Sequence, residues 1–239
     1  MQRLVDLLPA DGLQPELRAV LADGDGGGGG GGGGEVSQLL REVGEGVWSL
    51  DVLTSAGCQA LLGEVDRRAG ALPSNAAPNS MHAYGSTLAD LGLGELARAL
   101  REELVAPVGA RHFASLGGSH LTAEHGFLAE YCSGADEELG YHVDDSVVTL
   151  NLCLGEEFSG TELYFRGVRC DAHRQTPWTP SEAFEIDHEP GRAILHAGRH
   201  RHGVHPIRRG RRRNLILWCQ DPGASRRMAT CGPWCGNEG

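Results

Sequence analysis

The sequence predicts an α+β domain, helical in its first half and strand-rich in its second, with the strands forming a sandwich or barrel. Three observations carry this. Apolar residues recur at helical spacing as far as Leu104, and period-two alternation takes over from Phe127. Turn residues then divide the remainder into short segments, and helices followed by many short strands are the pattern of α+β architecture. At 239 residues, with 40% apolar and 22% charged, the chain suits one core of ordinary size or two small domains.

Residues 1 to 22 predict a short helix. Gly26 to Gly34 is an unbroken run of glycine that neither a helix nor a strand interior tolerates. It reads as a flexible linker, so that residues 1–34 form an N-terminal segment and the folded domain begins near Glu35. A helical support region over 35–110 follows. Val36, Leu39, Leu40 and Val43 repeat at i, i+3, i+4, i+7 and predict its first helix. Thr54 or Ser55 caps a second, with Cys58, Leu61, Leu62 and Val65 on one face. A third carries Leu93, Leu96, Leu100 and Leu104 and is expected to stop before Pro107. Strands are expected near 127–132, 146–154, 161–166, 193–197, 203–208 and 212–219, within a domain over 111–222, with 223–239 as a C-terminal tail.

Charge and composition exclude several classes. Twenty-one basic against 32 acidic residues leave a net charge of −11, a poor surface for nucleic acid. All the basic residues are arginine. Without lysine, phosphate-loop NTPase, kinase and Schiff-base chemistry are excluded, and any basic anchor for a substrate carboxylate must be an arginine. No apolar run is long enough to span a bilayer, and no secretory signal opens the chain, so an intracellular protein with mostly reduced thiols is expected. Of the seven cysteines, Cys231 and Cys235 alone have the spacing of half a zinc site; otherwise they are two thiols on a loose tail.

Histidine carries the chemistry. His142 and Asp144, two apart on a strand, share a face, and a third imidazole from a distant strand would complete the two-histidine, one-carboxylate triad of non-haem Fe(II) oxygenases. Four histidines crowd the later stretch, at 196, 200, 202 and 205, and alternation puts His200 and His202 on one face. On the last strand Arg212, Asn214, Ile216 and Trp218 share a face opposite Leu215 and Leu217. Thr149, Asn151 and Cys153 likewise alternate with Leu150, Leu152 and Leu154, a polar strand face that fits a wet cavity.

An ordered series of motifs extends this. Tyr131 precedes His142-X-Asp144 and is followed by Val148-Thr-Leu-Asn-Leu-Cys-Leu-Gly155. Next come Gly160-Thr-Glu-Leu-Tyr-Phe165 and His202-Gly-Val-X-Pro-Ile-X-X-Gly-X-Arg212. Over roughly residues 46 to 220 the chain resembles prolyl-4-hydroxylase-like Fe(II)- and 2-oxoglutarate-dependent dioxygenases. Pro78-Asn-Ser-Met-His-Ala-Tyr84-Gly and Glu124-His-Gly-Phe127 bring it close to the 2-oxoglutarate and iron-dependent oxygenase domain-containing proteins. The resemblance implies a double-stranded β-helix, or jelly roll, with supporting N-terminal helices. It implies His142, Asp144 and His202 as iron ligands, with His200 as the competitor of His202. Arg212 would hold the C5 carboxylate of 2-oxoglutarate, Tyr131 would add a hydrogen bond, Asn214 would lie near the cosubstrate and Trp218 would form a wall.

The activity implied couples hydroxylation of a substrate by O2 to decarboxylation of 2-oxoglutarate to succinate and CO2, with L-ascorbate keeping the iron reduced. A protein side chain, prolyl first, is the expected substrate. Two alternatives use the same residues differently: a non-catalytic metal-binding jelly-roll scaffold, and a zinc-stabilised interaction module built on Cys219, Cys231, Cys235 and a histidine. The arginines between Arg199 and Arg213 suggest an anionic substrate or partner.

Overall fold

The computed structural model describes residues 2–23, 36–71, 86–221, 223 and 231–236. The glycine run and the 78–85 motif lie outside them. Two antiparallel sheets face each other and helices cover the larger one. The N-terminal segment is not a single helix ahead of the domain. It forms α1 (Leu4–Leu7) and α2 (Pro15–Asp23), and both are docked. Leu4, Leu13, Leu17 and Leu21 are buried in the core; the Gln14 amide donates to Val52 O and the Leu4 amide to Glu103. The hydrophobic core therefore includes residues that precede the glycine run. Leu17→Ala is expected to cost about 2–5 kcal/mol of unfolding free energy, measured as a lowered urea midpoint; an unchanged midpoint would mean that α2 adds nothing to the core.

The helix expected over Val36–Val43 is replaced by a hairpin, β1 (Arg41–Gly44) and β2 (Val47–Asp51). Gly46 at φ +67° supplies the turn, and β2 pairs with β9 (Arg192–Ala197), so sheet pairing overrides a brief helical spacing. α3 (Ser55–Ala69) matches expectation, with Thr54 Oγ1 accepting from the Gly57 amide. α4 (Gly94–Leu100) does not end before Pro107. It continues through a π turn (Arg101–Val105) into α5 (Ala106–His112). The wider turn, with Ala106 N–H bonded to Arg101 O, gives the proline ring room that a regular α-turn denies it.

The remaining strands are β3 (Ala123–Cys132), β4 (Leu139–His142), β5 (Val148–Gly155), β6 (Phe158–Gly160), β7 (Leu163–Val168), β8 (Ala183–Ile186), β10 (His200–Val204) and β11 (Ile207–Gln220). β4, β6 and β8 are short strands that the alternation did not predict. The larger sheet runs β1-β2-β9-β5-β11-β3 with β6 also on β11, and the smaller runs β4-β10-β7-β8, a jelly roll. The segment expected at 203–208 divides at His205-Pro206 between β10 and β11. Gly210, at φ +85°, is where β11 passes from β6 to β3 and β5; a Cβ there would collide with Glu157 O.

Leu150, Leu152, Leu154, Leu215 and Leu217 face the helices, while Phe127, Phe165, Ile194, Val204, Ile216 and Trp218 fill the space between sheets. No helix among the described residues is long and apolar enough to cross a membrane.

Candidate metal centre and cosubstrate pocket

His142 ends β4 directly opposite His202 of β10, their ring centroids 4.3 Å apart. Asp144 is not on a strand, so alternation is not what places it. It lies in the loop after β4, where its amide donates to Gly198 O in the β9–β10 turn. Its carboxylate meets His142 Nε2 at 3.4 Å and His202 Nε2 at 3.7 Å, and one ligand atom from each of the three lies within 4.8 Å of the others. Both imidazoles are oriented from behind. His142 Nδ1 contacts Gly140 O at 2.7 Å and His202 Nδ1 contacts His200 O at 2.8 Å, which makes each Nδ1 the donor and leaves Nε2 as the acceptor facing Asp144. Thr149 Oγ1 donates to Asp144 Oδ2 at 2.6 Å and holds the carboxylate.

Electrostatics keeps the set ready for a cation. Burial pushes the His202 pKa well below the usual value, more than Asp144 raises it, so the ring is neutral at pH 7. Burial opposes ionisation of Asp144, but the neighbouring imidazoles of His202, His142 and His196 hold its carboxyl well below the ordinary range. His196 is a third imidazole beside Asp144, with Nε2 3.9 Å from Oδ2 and its ring 4.5 Å from that of His202. A carboxylate with two presented Nε2 atoms is a donor set for a divalent metal with open positions.

His200 is excluded from this set by the register shift between it and His202, which breaks the alternation. Its ring packs edge-on against Phe165 and Phe184, both ring nitrogens lack a partner, and burial lowers its pKa to about 3.

A small, partly open pocket joins the triad to Tyr131, Thr149, Asn151, Ile216 and Trp218. Trp218 forms part of its wall, and its buried Nε1 has no hydrogen-bond partner. Behind Tyr131 stands Arg212, wholly buried, its guanidinium carbon 5.6 Å from the Tyr131 ring centroid. Arg212 Nε donates to Asn214 Oδ1, Nη1 to Thr161 O and Nη2 to His188 Nδ1. Thr161 adopts φ +62°, a region that β-branched residues rarely enter. Asn214 in turn donates to Asn151 Oδ1. No carboxylate among the described residues forms an ion pair with Arg212, which is a buried cation behind the Tyr131 wall of the pocket.

His188 was not legible in the sequence. It lies just after β8, with Nε2 donating to Arg192 O, and burial followed by Arg212 holds it neutral.

Most of the other arginines between Arg199 and Arg213 are paired or buried. Arg199 pairs with Asp171, Arg208 with Glu162, Arg211 with Glu130, and Arg213 with Asp66 and Glu156, while Arg201 is buried under backbone carbonyls. Arg209, exposed on β11, stands apart from these pairs. Cys219, proposed above as a zinc ligand, is a core thiol on β11, raised by burial and remote from the tail cysteines in the sheet register.

Comparison with known proteins agrees with the motifs. Residues 4–118 match an OGFOD2-like domain, so the docked N-terminal helices belong to it. The chain is 40% identical over 206 residues to the 2-oxoglutarate and iron-dependent oxygenase domain-containing protein CP2 of Arabidopsis thaliana, covering 83% of this chain and 52% of that one. It is 36% identical over 193 residues to the human 2-oxoglutarate and iron-dependent oxygenase domain-containing protein 2, covering 80% and 53%. The chain thus spans about half the length of the curated relatives it matches. A prolyl hydroxylase from Trichoplax adhaerens, solved with a hypoxia inducible factor peptide fragment, shares the fold with a TM-score of 0.54, at 17% identity, over 82% of this chain and 91% of that one. With these motifs, this jelly roll and these homologues, the chain belongs with the 2-oxoglutarate and iron-dependent oxygenase domain-containing proteins.

Proposed function

We propose that the chain is an Fe(II)- and 2-oxoglutarate-dependent dioxygenase in which His142, Asp144 and His202 hold the iron. The observation that carries this is a neutral-imidazole and carboxylate set lining a pocket, with a buried arginine that has no carboxylate partner among the described residues standing behind Tyr131 of the pocket wall. That chemistry fits a ferrous ion together with a dicarboxylate. Bound iron supplies the oxidative chemistry that couples loss of CO2 from 2-oxoglutarate to hydroxylation of a substrate C–H by O2. The chain's own residues orient and exclude. Arg212 receives the distal carboxylate, Asn214 and His188 hold the guanidinium in place, and Tyr131 offers its hydroxyl, which burial keeps protonated. L-ascorbate serves as the reductant that keeps iron ferrous.

The substrate we favour is a protein side chain, prolyl first. The peptide bound by the Trichoplax homologue in fold supports this, and the acidic balance of the chain argues against nucleic acid. The test is spectroscopic. Adding 2-oxoglutarate to the anaerobic Fe(II)-loaded chain is expected to produce a weak visible charge-transfer band. Iron that stays bound with no band would overturn the cosubstrate assignment.

A further inference from the structure

The cysteines at the C-terminus are not on a loose tail. Cys235 is buried, Trp234 packs against the core, and the Gly236 amide donates to Val168 O at the end of β7. This brings Cys231 and Cys235 to a loop some sixty residues earlier. Cys170 begins that loop directly after β7, and a short helical turn (Asp171–His173) places His173 three residues on. One atom from each of Cys170, His173, Cys231 and Cys235 lies within 4.8 Å of the other three. Cys170 Sγ and Cys235 Sγ are 3.2 and 3.6 Å from the same nitrogen, His173 Nδ1. None of the seven cysteines forms a disulfide.

We infer that Cys170, His173, Cys231 and Cys235 form a structural zinc site, separate from the iron triad. Tetrahedral zinc with Zn–S near 2.3 Å and Zn–N near 2.0 Å sets ligand atoms about 3.6–3.8 Å apart, so the cluster needs only a small contraction to close around the ion. Three thiolates and one imidazole leave no open position, which is the composition of a structural site rather than a catalytic one. The spacings, two residues between Cys170 and His173 and three between Cys231 and Cys235, give two half-sites of the usual kind. Binding is balanced by release of the three thiol protons, leaving a complex of net charge −1.

The surroundings suit that charge. Arg169 is buried beside Cys170, held by a two-point ion pair with Glu182, and both Arg169 and Arg201 act electrostatically on Cys235. Buried guanidinium groups favour thiolates. Gly236 is packed so closely on the Arg169–Glu182 pair that a Cβ there would collide with both. The ion would thus lock the chain's end onto the β7–β8 loop. That loop also braces the strand of His202, since Asp171 pairs with Arg199 and Thr176 O accepts from Arg201.

The experiment uses the full chain, purified under reducing conditions, with Zn(II) and Co(II) as probes. Metal analysis is expected to find about one zinc per chain, and exchange with Co(II) to give intense thiolate-to-cobalt charge transfer with tetrahedral d–d bands. The double variant His142→Ala/His202→Ala keeps the zinc and the bands; Cys231→Ser/Cys235→Ser loses both while still binding Fe(II). Should the cysteine variant fail to fold, titrating the wild type with an organomercurial decides the matter, because zinc should leave in step with modification of three thiols. Absence of zinc from the reduced wild type, zinc release without thiol loss, or bands that follow the triad histidines instead of the cysteines would each overturn the site.

Discussion

His202→Ala is expected to release Fe(II) and to lower succinate formation by at least about 100-fold, beyond the 10- to 100-fold that loss of an outer partner of a metal ligand typically costs. The reason is geometric. His202 faces His142 across two paired strands and presents Nε2 to Asp144, with its Nδ1 committed to His200 O. His196 Nε2 also approaches Asp144 Oδ2, at 3.9 Å, but its Nδ1 contacts Ala197 O and it stands outside the group of three whose donor atoms converge. His200→Ala is the informative control. Its ring lies among Phe165 and Phe184, so this variant should retain iron and 2-oxoglutarate turnover even if it loses some stability. Anaerobic Fe(II) dialysis followed by a succinate assay separates the two. Iron lost from the His200 variant and kept by the His202 variant would reverse the ligand assignment.

The second large effect is on the cosubstrate. Arg212→Gln should weaken 2-oxoglutarate binding by about 10- to 150-fold, the equivalent of the 1.5–3 kcal/mol that a hydrogen bond to a charged group contributes, and leave Fe(II) affinity near that of the wild type. Glutamine can still reach Asn214 or His188, which limits the damage to the fold, but it carries no charge for a carboxylate. A lysine would not substitute well, because the fork that reaches Asn214, Thr161 and His188 at once belongs to guanidinium alone. The readout is the KM for 2-oxoglutarate against an independent Fe(II) titration. An unchanged KM would remove Arg212 from the cosubstrate site.

Much of the site was legible in the sequence because strand alternation and motif spacing act over short range. Arg212, Asn214, Ile216 and Trp218 do share a face, and Leu215 and Leu217 do turn to the helices. Alternation misled where the backbone departs from it. Asp144 is placed by a loop anchored to Gly198, and a shift in register separates His200 from His202. Residues brought in from far along the chain gave no local signal. His188 meets Arg212 across 24 positions, and His173 meets Cys235 across 62, distances over which no periodicity runs. The hairpin at Arg41–Asp51 was mistaken for a helix because its pairing partner, β9, lies some 145 residues later.

The position of β11 has a consequence for how the chain is made. β11 comes last in chain order among the described strands, yet in the larger sheet it lies between β5 and β3 and pairs with both. Until Ile207–Gln220 has left the ribosome, β3 and β5 each present an open edge of backbone donors and acceptors, flanked by apolar faces. Folding of the barrel must therefore wait for residue 220, and a nascent chain stalled before residue 207 is the form most prone to aggregate or to need a chaperone.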